Sequence, residues 1–89
     1  FRQRVQIEGR IRTVRVRPLA GTATLECVLE DDTGAMSLVF LGRSAIPGID
    51  VGTRIRARGT AGDHHGRLAI LNPVYELSAG PTAPRRGQG

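Results

Sequence analysis

Residues 24–41 read TLECVLEDDTGAMSLVFL, and the alternation inside them decides the fold class. Leu25, Cys27 and Leu29 alternate with Glu26, Val28 and Glu30, the two-residue period of a strand with one face in a core. Asp31, Asp32, Thr33 and Gly34 follow. Aspartate side chains bind nearby backbone N–H groups, and glycine accepts the dihedral angles of a tight reversal. Leu38 and Phe40 then restore the apolar face on a returning strand. A four-residue loop over residues 32–35 predicts the register, setting Leu29 opposite Leu38, Cys27 opposite Phe40, Val28 opposite Val39 and Glu30 opposite Ser37. A three-residue loop would set Leu29 against Ser37, and a one-residue slip turns a core face to solvent.

Upstream, residues 4–17 predict one long strand that changes phase: Val5, Ile7, Gly9 and Ile11 hold odd positions, Val14 and Val16 even ones. A β-bulge at Arg12 and Thr13 would turn both sets to one core and bend the strand, with Gly9 as a second bending point. A first strand that serves two sheets is what a small closed barrel needs. Residues 18–22 read as a short loop into the hairpin. Downstream, Pro47, Gly48 and Gly52 break residues 42–53 too often for a full helix, but Ser44 can cap a single helical turn. Ile46, Ile49 and Val51 are expected to plug one end of the core. Residues 53–61 alternate again, with Ile55, Ala57 and Gly59 on one side and Arg54, Arg56 and Arg58 on the other. Residues 62–66 make a polar tip, and residues 67–71 a returning strand with Leu68 and Ile70 inward. Asn72 and Pro73 interrupt pairing before a last extended piece at 74–77. Residues 78–89 have no apolar periodicity and are expected to form a disordered basic tail, which leaves residues 1–77 as the one domain. The prediction is an all-β, five-stranded Greek-key barrel with a short helical turn between strands three and four.

Composition narrows the function classes. At 89 residues the chain is near the size where one core just suffices, so a second domain does not fit. The longest apolar run is Leu38-Val39-Phe40-Leu41, too short for a membrane helix. The start does not resemble a signal peptide and begins with Phe1 rather than Met, so sequence upstream of it is expected to be missing. The single Cys27 falls on the core side of a strand and cannot form an internal disulfide, which fits a reducing, cytoplasmic setting. The net charge is +5 and all thirteen basic residues are arginine. A positive surface attracts anionic partners, though charge alone does not choose nucleic acid over a membrane surface, and arginine-only usage equally suits genome composition and solubility.

Particular residues go further. Val28-Leu29-Glu30-Asp31-Asp32-Thr33-Gly34 followed by Leu38-Val39-Phe40 resembles the "DDTG" hairpin of OB-fold nucleic-acid-binding domains. Residues 51–59, VGTRIRARG, look like the glycine-bounded fourth strand, and residues 71–76, LNPVYE, like the end of the OB wedge domain of RecG-type helicases. The resemblance spans nearly everything up to Leu77 and implies a bacterial, free-standing or excised OB module that holds nucleic acid, without motor domains. OB domains as a class bind single strands, branched DNA, RNA, oligosaccharides or proteins.

Such domains usually bind along the outer face of strands two and three, clamped by the loops after strands one and four. The expected register puts Glu26, Val28 and Glu30 beside Ser37, Val39 and Leu41 on that face, where two carboxylates would repel phosphate. The chain has only Phe1, Phe40 and Tyr75 as aromatic residues, so it lacks most of the base stacking that contributes about 1–3 kcal/mol per base in single-strand binders. The arginines are expected elsewhere. Arg10, Arg12, Arg15 and Arg17 on strand one and Arg54, Arg56 and Arg58 on the neighbouring strand four would form one basic sector, binding phosphate with steep salt dependence and little sequence preference, while the resemblance implies DNA in preference to RNA. The same arginines also suit solvated edge strands that discourage aggregation. His64 and His65 with Arg67 suit either a clamp loop or an exposed turn. Adjacent histidines at a turn point apart and lack a cysteine or carboxylate set, so no metal, cofactor or membrane partner is expected. Ser44, Cys27 and the Asp31–Asp32 pair make no catalytic constellation. An alternative of another class is a protein contact or homodimer through an outer strip of Val28, Val39 and Leu41, unless other segments cover it.

Overall fold

The computed structural model describes residues 3–64 and 66–78. Strand β1 (Gln3–Leu19) is seventeen residues long because it serves two partners in turn. Its first half pairs antiparallel with β4 (Arg54–His64), from Gln3 opposite Ala61 to Arg10 opposite Arg54. From Arg10 to Leu19 it pairs antiparallel with β2 (Thr22–Asp31). The handover needs Gly9, where a Cβ would collide with the Glu30 carbonyl oxygen and lie 3.2 Å from Leu29 Cδ1. Only a residue without a side chain lets the two backbones approach that closely. The expected bulge is present as a register shift between Ile11 and Thr13. It returns Val14 to the side of buried Ile11, where it packs against the core, while Val16 farther along is exposed.

The residue 24–41 hairpin forms, with a different turn. Strands β2 and β3 (Gly34–Leu41) pair from Asp31 opposite Gly34 to Thr24 opposite Leu41. The connection is Asp32 and Thr33 alone, so Leu29 faces Met36, Cys27 faces Leu38 and Leu25 faces Phe40, correcting the expected register by two residues. The cause is Asp31. Its Oδ1 accepts the Thr33 N–H at 2.7 Å, the Thr33 hydroxyl at 2.7 Å and the Gly34 N–H at 3.0 Å, closing the chain tightly on one carboxylate. The Thr33 hydroxyl, then the two backbone donors, hold that carboxyl below its ordinary value. Because the shift is even, the faces survive: Leu25, Cys27, Leu29, Leu38 and Phe40 are all buried.

Strand β5 (Arg67–Leu71) pairs antiparallel with the far end of β4 and parallel with β3, from Ser37–Ala69 to Val39–Leu71. The order β1-β2-β3-β5-β4 and back to β1 therefore closes a ring of five strands. A sixth, β6 (Val74–Ser78), continues along the edge of β4 that β5 has left. At the break Pro73 is buried and Asn72 has a φ of 48°. The Asn72 N–H donates to the Val39 carbonyl at 2.7 Å, and its side-chain oxygen accepts the Leu41 N–H at 2.9 Å. One asparagine thus serves the end of β3 where strand pairing stops. Ser78 belongs to β6 rather than to the tail. The expected disorder of residues 79–89 lies outside the described residues, as do Phe1 and His65.

Four local expectations are corrected. No helical turn lies between β3 and β4. Instead, Ile49 N–H to the Ile46 carbonyl and Thr53 N–H to the Asp50 carbonyl, each 3.1 Å, close two successive turns. Gly48 at φ 87° and Gly52 at φ 94° have left-handed backbones that do not propagate a helix. Ile46 and Ile49 plug the core as expected, but Val51 is exposed, and Leu68 is exposed where inward packing was expected. The loop expected at 18–22 is a two-residue reversal at Ala20 and Gly21, with φ 52° and 79°, between strands that run to Leu19 and from Thr22. Among the described residues no helix is long and apolar enough to cross a membrane.

Replacing Gly9 with alanine drives a methyl group into the Glu30 carbonyl and is expected to destabilise the fold by about 1–3 kcal/mol, as overpacked sites do. Urea unfolding of the two proteins reads this directly, and an unchanged midpoint would refute the close approach.

Candidate nucleic-acid interface

The bulge at Arg12 decides which arginines meet. Beyond it Thr13 pairs with Val28, Arg15 with Glu26 and Arg17 with Thr24, which puts these side chains on the outer face of β2 and β3. The β4–β5 hairpin reaches the same face, ending with His64 opposite Arg67. A groove of about 330 Å³ lies between them, lined by Thr13, Arg15, Arg17, Glu26, Val28, Ser37, His64 and Arg67 with Cys27 beneath. Glu26 occupies its middle. One carboxylate oxygen is 3.7 Å from Arg17 Nε and the other 3.6 Å from His64 Nε2. These are ion-pair distances, longer than a charge-assisted hydrogen bond. The Glu26 and His64 side chains are 21% and 16% exposed.

The other arginines lie around the ring. On the outer face of β1, β4 and β6 three rows follow from the registers: Gln6, Arg58 and Val74; Glu8, Arg56 and Glu76; Arg10, Arg54 and Ser78. Arg56 lies 3.8 Å from Glu8 and 3.4 Å from Glu76. Arg10 donates to the Gly52 carbonyl at 3.0 Å, and Arg12, displaced by the bulge, pairs with Glu30.

The single basic sector expected from the sequence is therefore two. Arg10, Arg54, Arg56 and Arg58 do share one face, but Arg15 and Arg17 join His64 and Arg67 on another. Carboxylates stand beside the arginines in both, with Glu8, Glu76 and Glu30 around the first and Glu26 in the second. The outer strip of Val28, Val39 and Leu41 is broken at its centre. Val39 is fully buried, paired with Glu26 on one side and Leu71 on the other, while Leu41 is exposed. Phe40 and Tyr75 meet edge to face, centroids 5.6 Å apart at 81°, and both belong to or pack against the core. Neither offers a free face to a base.

Glu26, Thr13 and Ser37 were not assigned to a binding site from the sequence. The phase change at Arg12 was the available signal: carried through to β2, it brings Thr13, Arg15 and Arg17 beside Val28, Glu26 and Thr24. Comparison with protein-family models and with curated proteins found no match to the chain.

Cys27 beneath the groove is 1% exposed, and burial pushes its thiol from 9.0 up to about 11. Such a thiol stays protonated in the fold while the unfolded thiol ionises, so its contribution to stability is present below 9.0 and is lost as the pH rises towards 11. The chain has no lysine to titrate alongside it. Denaturant unfolding across that window is expected to lose stability in the wild type and to lose less of it in Cys27→Ala; parallel profiles would count against a buried thiol.

Proposed function

We propose that the chain is a non-catalytic nucleic-acid-binding module of the OB type, holding single-stranded or branched DNA mainly through arginine–phosphate contacts, in a reducing, cytoplasmic setting. The observation that carries this reading is the groove between the β1–β2–β3 face and the β4–β5 hairpin, whose lining holds Arg15, Arg17 and Arg67 with one carboxylate, Glu26. A guanidinium fork suits phosphate oxygens, and a recessed positive groove concentrates field on a polyanion. The closed strand order, with β3 and β5 parallel, supports the OB reading as a Greek-key barrel. With both described rings in or against the core, base stacking adds little, so affinity falls steeply with salt. The Arg54 and Arg58 face is a second, weaker contact, because Arg56 between them is already flanked by Glu8 and Glu76.

A second reading is a protein contact, favoured by Leu41 and Leu71, which are both exposed near Asn72. It predicts self-association or partner binding that Leu41→Asp disrupts and salt leaves alone.

Fluorescence anisotropy with labelled single-stranded, duplex and forked DNA and with RNA, at several salt concentrations, tests the first reading. Arg15→Ala/Arg67→Ala is expected to weaken binding at least about tenfold and to lower the salt slope by about one for each phosphate no longer neutralised. Arg54→Ala/Arg58→Ala is expected to do less. If no nucleic acid binds at low salt, or the first pair binds normally, the reading fails.

A further inference from the structure

Glu26 is the wrong charge for a phosphate groove, and its position bears on what the groove selects. A backbone phosphate cannot lie over this carboxylate without repulsion, while Arg15 and Arg67 stand in the same groove to take phosphates. Space over Glu26 then suits the part of a nucleotide that offers hydrogen-bond donors, the edge of a base. The two carboxylate oxygens have His64 Nε2 and Arg17 Nε at 3.6 and 3.7 Å, beyond the range of short charge-assisted bonds, so they keep capacity to accept. Arg17, beside one of them, is a donor. Two acceptors next to a donor match one base best. Guanine presents N1–H and the N2 amino group next to the O6 acceptor. Cytosine and adenine offer a carboxylate only one exocyclic amino group, and thymine only one imino N–H. Half-buried Val28 below gives the base an apolar surface in place of an aromatic ring.

We infer that the groove takes a guanine base from a single strand, with Glu26 accepting from N1–H and the N2 amino group and Arg17 donating to O6. Glu26 is then the specificity-determining residue of an interface whose affinity comes from phosphate. The inference rests on the nucleic-acid reading above.

The test compares thymine-rich single strands that carry, at one central position, guanine, hypoxanthine, adenine or cytosine. Hypoxanthine lacks only the N2 amino group, so the protein is unchanged in the decisive comparison. The guanine strand is expected to bind about tenfold more tightly than the others, the discrimination usual for a bidentate side-chain contact to a base. Glu26→Gln, which keeps size and removes charge, is expected to erase that preference while raising affinity for the plain thymine strand, because a repulsive charge is gone. Equal binding of the guanine and hypoxanthine strands overturns the inference and leaves the nucleic-acid reading standing. A guanine preference that persists in Glu26→Gln overturns the assignment to Glu26. Failure of every strand to bind at low salt overturns both readings.

Discussion

The contact on which the structure turns is backbone to backbone: β1 at Gly9 against the Glu30 carbonyl at the end of β2. Arg10, the next residue, is paired with Glu30 and with Arg54 at once. At that point one strand leaves β4 and joins β2, and closure of the ring follows. A Cβ at Gly9 would hold the two backbones apart and separate these pairings. The bulge at Arg12 then sets the phase of everything beyond, so that Ile11 and Val14 share the core while Arg15 and Arg17 share the outer face. Fold and candidate site are consequences of the same few residues.

The charge pattern follows from that geometry. Ion pairs between exposed side chains contribute about 0–1 kcal/mol each, so Arg12 with Glu30 or Arg56 with Glu76 does little for stability. Their effect is on the surface potential. On the β1–β4–β6 face, Glu8 and Glu76 flank Arg56 and dilute the row of arginines. In the groove three arginines share the lining of a concave site with a single carboxylate. Equal numbers of guanidinium groups would thus attract a polyanion unequally, and the recessed set has the advantage.

Much of this was legible in the residues. Alternation gave the strand faces, including the phase change in β1 and the arginine face of β4, because a half-buried strand has to alternate. Turns were harder. The 24–41 hairpin was placed correctly and its register was not, since an Asp31 carboxylate that binds three donors at once shortens the loop without changing which face is apolar. Residues 42–53 carry apolar side chains in no regular period, so Val51 could not be told from Ile46 and Ile49, although only the latter two reach the core. The site suffered most. Arg15 and Arg17 were grouped with Arg54 because strands one and four are neighbours, whereas β1 leaves β4 at Arg10 and pairs with β2 beyond it. Val39 alternates as an outer residue and is nevertheless buried, between Glu26 of β2 and Leu71 of β5, which alternation along one strand does not reveal.

The β4–β5 hairpin is held differently at its two ends. Near the ring, β5 is paired on both sides, to β4 and to β3, from Ala69 to Ile70. Beyond Ala69 the hairpin's own pairs continue, with His64 opposite Arg67 at the end, and His64 Nε2 lies 3.6 Å from Glu26. The wall of the groove formed by Arg15 and Arg17 is set by pairing to β2, and the wall formed by His64 and Arg67 by pairing within the hairpin. Glu26 reaches towards both, with one carboxylate oxygen 3.7 Å from Arg17 and the other 3.6 Å from His64. One side chain of β2 thus connects a wall built by the β1 register to a wall built by the β4–β5 hairpin, and the width of the groove follows from how those two registers meet over it.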